Sequence, residues 1–212
     1  MGECVSVQAG SETGRLSLTE RLQTGALSSK LIQNSSQSSY QQTRDMPDAP
    51  DQRLLAALLD SWDRNNTILV NLLRAIPHGG LEARAAEGSP SVAEMFMHIH
   101  YVRLVFVSED APEFARKMPG KEWMAERDRS HIAQMLNDSA KAVRDAVKSR
   151  LETGRDMDLH YDHPILLLQH MVWHEGYHHG QIKLALKLTG RQMSDKEAGP
   201  ITWRMWMNKT PK

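Results

Sequence analysis

The sequence predicts an all-α protein, four long helices in one bundle with a tail in front. Three observations lead there. Apolar residues recur at helical spacing in four separate segments, near 51–76, 91–109, 130–152 and 164–189. Glycine, proline and capping residues punctuate those segments at their ends. No stretch shows strand alternation, and no internal repeat of 20 to 50 residues occurs. A chain of 212 residues and 24.0 kDa suits one domain with appendages.

Residues 1–46 read as a disordered tail. The first 45 hold nine serines and six glutamines with scattered apolar residues, too few to offset the entropy of ordering. The tail is either a flexible extension or sequence upstream of a natural start at Met46. The bundle domain is then expected over 47–212. Acidic and basic residues balance at 26 each, which excludes the charge surplus of a nucleic-acid binder. One cysteine, Cys4, excludes an internal disulfide framework. No apolar run is long enough for a membrane span, and no signal peptide is visible, so a cytoplasmic protein is expected.

The first helix carries Leu55, Leu58, Leu59, Trp62, Leu69, Leu72, Leu73 and Ile76 on one stripe, and Pro77-His-Gly-Gly stops it. Asn65 and Asn66 interrupt the stripe; they either face a polar cavity or straddle its edge. The second helix opens at Ser89-Pro-Ser91, with Ser91 and Glu94 spaced as a capping box. It is apolar nearly all round, which suggests a central position or a subunit contact. His98 and His100 lie at opposite edges of its stripe. About 20 residues from Asp110 to Arg129 then lack helical pattern. That is long enough to run the length of a bundle and leave the second and third helices parallel. The third helix is expected from an N-cap at Ser130 to Glu152, with Gly154 beyond its end and His131 exposed. The fourth starts with Pro164 and closes at Gly190. Gly176 and Gly180 in its middle are read as close helix–helix contacts. In the C-terminal segment, Trp203 and Trp206 either pack on the bundle or line a pocket mouth.

Six of the ten histidines fall between His160 and His179. His174 and His178 are one helical turn apart. Leu167, Met171, Gln181, Ile182, Ala185 and Leu188 fall on the same side, so both imidazoles belong to the core-facing stripe. Two buried neutral imidazoles are costly unless bonded, and a shared metal ion removes that cost. The plainer reading is a pair of core histidines bonded to other helices. A third ligand would come from His98 or His100, and three imidazoles leave positions free for water or substrate. Neutral ligands compete with protons, so metal affinity is expected to fall below about pH 6.5. His174-Glu175-x-x-His178 also spells a zinc-protease signature. That match is read as coincidental, because no strand pattern serves an extended peptide and no third ligand follows. Glu175 is read as solvated rather than backing the site.

Ser91-Val-Ala-Glu-Met-Phe-Met-His98, His174-Glu-Gly-Tyr-His178-His-Gly-Gln181 and the C-terminal tryptophan segment together resemble the DinB-like metal-dependent proteins. The resemblance covers about 51–207. It implies an up-down-down-up bundle and a divalent metal, zinc or nickel, on three histidines. Carried onto this chain these are His98, His174 and His178, with His100 a neighbour and His179 outward. It also implies homodimers and chemistry such as transfer to a low-molecular-weight thiol. A hydrolase with a metal-bound water and a non-enzymatic stress-response metal binder are the alternatives. Whether the protein is an enzyme, and on which substrate, stays open at this point. No catalytic residue beyond the metal set is assigned; His170, Asn66, Tyr101 and Gln181 are candidates for orienting a small-molecule substrate.

Overall fold

The computed structural model describes residues 52–207. The tail expected over 1–46 lies outside them. Four long helices form as the periodicity predicts: α1 Gln52–Ala75, α2 Val92–Asp110, α3 Arg129–Glu152 and α4 Pro164–Leu188. A short α5, Asp195–Ile201, and a 3-10 turn at Trp203–Trp206 follow. Among the described residues there is no strand beyond one isolated bridge between Arg84 and Ser91.

The ends follow local chemistry. Ser91 and Glu94 make the expected reciprocal capping box on α2. The cap of α3 is Asp128, whose carboxylate accepts from the backbone of Ser130 and His131, so the predicted cap at Ser130 is two residues late. His131 is exposed, as expected, and pairs with Glu126. Gly154 and Gly190 sit just past α3 and α4 with φ of +63° and +69°, a conformation that penalises a Cβ.

Two apolar clusters set the direction of each helix. One gathers the C-terminal ends of α1 and α4 (Leu72, Leu73, Ile182, Leu186) with the N-terminal halves of α2 and α3 (Phe96, Ile99, Ile132, Leu136). The other gathers Trp62 of α1 and Leu167 and Met171 of α4 with Leu104 and Val107 of α2 and Val143 and Val147 of α3. Helices α2 and α3 therefore run parallel to each other and antiparallel to α1 and α4. This is the up-down-down-up order the long connection implied. Each fully buried Leu, Ile or Phe contributes about 1.5–3 kcal/mol by leaving water. Trp62 also donates its indole N–H to the Ala140 carbonyl at 2.9 Å, tying α1 to α3. The all-round apolar α2 is central, with Phe96, Met97, Ile99, Leu104 and Val107 buried.

Two readings of α4 are corrected. Gly176 and Gly180 touch no neighbouring helix: a Cβ at either would meet nothing within 4 Å. Leu188 is exposed rather than core-facing. The outward face of α4 instead carries Leu166, Trp173, Tyr177, Leu184 and Leu188, all exposed.

Candidate metal centre

Helices α2 and α4 pack against each other, and there the histidines meet. His98 Nε2 lies 3.1 Å from His174 Nε2, which lies 3.1 Å from His178 Nε2. Ligand atoms of all three are within 4.8 Å of one another. Nitrogens on one zinc at about 2.05 Å would stand about 3.3 Å apart in a tetrahedron, and about 2.9 Å at right angles. The observed spacing lies between these.

The protons support the same fit. His178 Nδ1 is 2.8 Å from Gln181 Oε1, an acceptor, so Nδ1 carries the hydrogen and Nε2 turns a lone pair inward. Glu122 Oε1 sits 2.8 Å from His98 Nδ1, at ion-pair distance though out of line for a hydrogen bond. That carboxylate favours the same tautomer in His98. His174 Nδ1 is buried without a partner. Its single ring hydrogen cannot serve both neighbouring Nε2 atoms, whereas one cation accepts all three lone pairs. Burial, and secondarily the neighbouring His178, pushes His98 down to about 4; the same causes push His174 down to about 3. Burial lowers His178 too, against the Gln181 hydrogen bond. All three are neutral at pH 7, the state that ligates.

His100 is elsewhere. It is buried on the α3 side of α2, beside Leu104, Met135 and Ser139, and burial pushes it down to about 4. His170 approaches the cluster, its ring centroid 6.4 Å from that of His174. Its Nδ1 shares a hydrogen bond with the Tyr161 hydroxyl at 2.7 Å, and burial raises the Tyr161 phenol. Gln181 is in the site, bonded to His178; Tyr101 is half-buried.

Four features were missed in the sequence. Glu175 is buried, not solvated: its carboxylate takes Arg103 Nε at 2.6 Å, Arg103 Nη2 at 2.8 Å and Asn65 Nδ2 at 2.5 Å. Fully engaged in this way, it is not free to act as the base of a zinc protease. Arg103 further reaches Asn66 Oδ1 and the Leu136 carbonyl and lies 4.9 Å over the Trp62 ring. The polar interruption at Asn65 and Asn66 is this network. Trp123, from the connection before α3, stacks on His98 with centroids 4.1 Å apart and planes 2° apart. His179 is half-buried with no partner at Nε2, not outward. Arg103 did leave a signal, as the one Lys or Arg in α2, set within the apolar run from Tyr101 to Val107.

Fold and cluster define a class: an up-down-down-up helical bundle with three imidazoles converging from α2 and α4. The DinB family matches residues 46–199, and the chain belongs to that family. No curated protein and no solved structure matches it significantly.

Proposed function

We propose that His98, His174 and His178 bind one divalent metal ion, zinc or nickel, and that the protein is a metal-dependent transferase acting with a low-molecular-weight thiol. The observation that carries the metal is the convergence of three neutral imidazoles, His98 and His178 each placing Nε2 3.1 Å from His174 Nε2. The thiol rests on the family resemblance. An ion held there supplies a Lewis acid that stabilises a thiolate at neutral pH. The chain's own residues do the rest. Glu122 and Gln181 hold two imidazoles in register through Nδ1, and the Arg103–Glu175 pair holds α2 against α4. Trp123 covers one face of His98 and limits water there. Turnover by metal-loaded protein of a thiol with an electrophile, against ester and amide hydrolysis without thiol, tests this reading. Hydrolysis without thiol would replace the transferase by a hydrolase, and a protein inert in both panels would be a non-enzymatic metal binder.

We further infer a homodimer through the exposed face of α4. Trp173 and Tyr177 are 71% and 56% exposed, with rings stacked 6.3 Å apart, and Leu166, Leu184 and Leu188 extend the apolar stripe along the helix. Light scattering on wild type and on Trp173→Ser with Leu184→Glu checks it: dimer and monomer are expected, with equal metal content. No described helix is long and apolar enough to cross a membrane. The lone cysteine supports a reducing compartment such as the cytoplasm. The family match beginning at residue 46 supports a domain boundary there.

A further inference from the structure

We propose a second small-molecule site, independent of the metal, on the other side of α4. Its ligand is a flat, uncharged aromatic molecule bearing an O–H or N–H donor. The helix repeat places Val172, Gly176 and His179 roughly opposite His174 and His178. There a cavity of about 300 Å³ opens between α1, α4 and the C-terminal segment, walled by Leu69, Val172, Trp203 and Trp206.

Three observations make it a built site. The first is Asn65, which lines the cavity and is 8% exposed. Its amide is oriented by chemistry: the Glu175 carboxylate only accepts, so Asn65 Nδ2 must face it and Oδ1 must face away. That Oδ1 has no protein partner and is not sealed from solvent, leaving a fixed acceptor in a cavity that is mostly apolar but also lined by Glu175, His179 and Thr202. A ligand donor would complete it. The second is the placing of Trp203. Gly199 lets the indole lie where a Cβ would come within 2.9 Å of its ring, and Lys183 Nζ stands 5.6 Å from the ring centroid. The third is Gly176 on the cavity wall, where a Cβ would meet nothing within 4 Å, so the space beside it is open. Aliphatic walls with two indoles select a flat apolar body. The enclosed acceptor selects a neutral donor, and an anion would face the Glu175 carboxylate behind it.

The test uses full-length protein, both zinc-loaded and chelator-stripped. The probe is 2-naphthol, with 2-methoxynaphthalene, which lacks the donor, as comparator. Calorimetry should show saturable one-to-one binding of 2-naphthol in both metal states. The methyl ether should bind about fivefold more weakly or worse, the worth of one neutral hydrogen bond. Gly176→Leu should weaken 2-naphthol about tenfold with zinc content and thermal midpoint retained, because its side chain grows into open space. Trp206→Ala should weaken it as well. The proposal is overturned by equal affinity for the ether, by binding unchanged in both variants, or by no saturation up to the solubility limit. Binding only in the zinc-loaded protein would also overturn it, by moving the ligand to the histidine cluster. The other outcomes leave open whether the cluster holds metal, so this proposal and the metal reading fail separately.

Discussion

Two polar groups are buried side by side in this bundle, and they differ in whether they complete themselves. Arg103 and Glu175 close on each other: the guanidinium meets a carboxylate, the Asn66 amide and a carbonyl, and the carboxylate receives three donors, the third from Asn65, whose Oδ1 alone is left open. The histidine cluster, on two of the same helices, α2 and α4, does not close. Its three Nε2 atoms face one another with more lone pairs than hydrogens, and His174 Nδ1 has no partner. A closed network fixes a fold, while an open one asks for something from outside. The contrast separates scaffold from site without reference to any reaction.

Breaking the closed group should have the largest effect. Glu175→Ala strands Arg103, which is fully buried, and should cost about 3–5 kcal/mol in urea unfolding. Replacing both partners by Leu and Met should restore much of that loss. The open group should behave in the reverse way. His174→Ala or His178→Ala should leave helical content intact and remove the metal-dependent rise in unfolding midpoint. That rise corresponds to about 2.7 kcal/mol at a metal concentration 100 times Kd. His98→Ala should do likewise, whereas His100→Ala should leave metal stoichiometry unchanged by elemental analysis. If wild type and His178→Ala melt identically with zinc and with chelator, the cluster is a set of core histidines and the metal reading fails.

Smaller effects sharpen the boundary. Glu122→Gln should weaken metal binding about tenfold, the low end for such a partner because the carboxylate is partly exposed. The pH dependence has a definite sign. The ordinary value of 6.5 falls to about 4 in His98 and about 3 in His174. Between those values the unfolded chain binds more protons than the folded one. Metal-free stability should therefore be flat above pH 6.5 and fall as pH drops toward 4. Burial lowers all three ligands, so proton competition for the metal should be weaker at a given pH than for free imidazoles. A zinc titration by calorimetry at pH 5.5 and 7 checks it: affinity should fall between them by less than three unshifted histidines would give. Starting the chain at Met46 should change the midpoint and metal content least of all.

The fold was legible because its signals are local. Leu72, Leu73, Leu167 and Met171 announce their burial by spacing alone, and the unpatterned stretch after Asp110 announced parallel neighbours. The pair His174 and His178 was legible for the same reason, but His98 was separated from His100 by the family resemblance, since both edge one stripe. What stayed hidden depends on distant parts of the chain. Whether Glu175 is solvated depends on Arg103, 72 residues away, and Glu122 and Trp123 come from a segment with no period to read. Gly176 and Gly180 were misjudged because a missing side chain looks the same beside a packed helix and beside solvent.

The parallel arrangement of α2 and α3 also bears on how the chain emerges from the ribosome. The backbones of α1 and α2 do not approach each other; long side chains such as Arg103, reaching Trp62 and Asn66, bridge the space between them. The first two helices to be synthesised therefore cannot pair as a hairpin. Each waits with its apolar face uncovered until α3, which packs on both, has left the exit tunnel. At about 5–20 residues per second, the stretch from the end of α2 to the end of α3 takes several seconds. For that interval Phe96, Met97 and Ile99 lack Ile132 and Leu136 of α3, part of the cluster that buries them, and the nascent chain exposes apolar surface of the kind chaperones recognise.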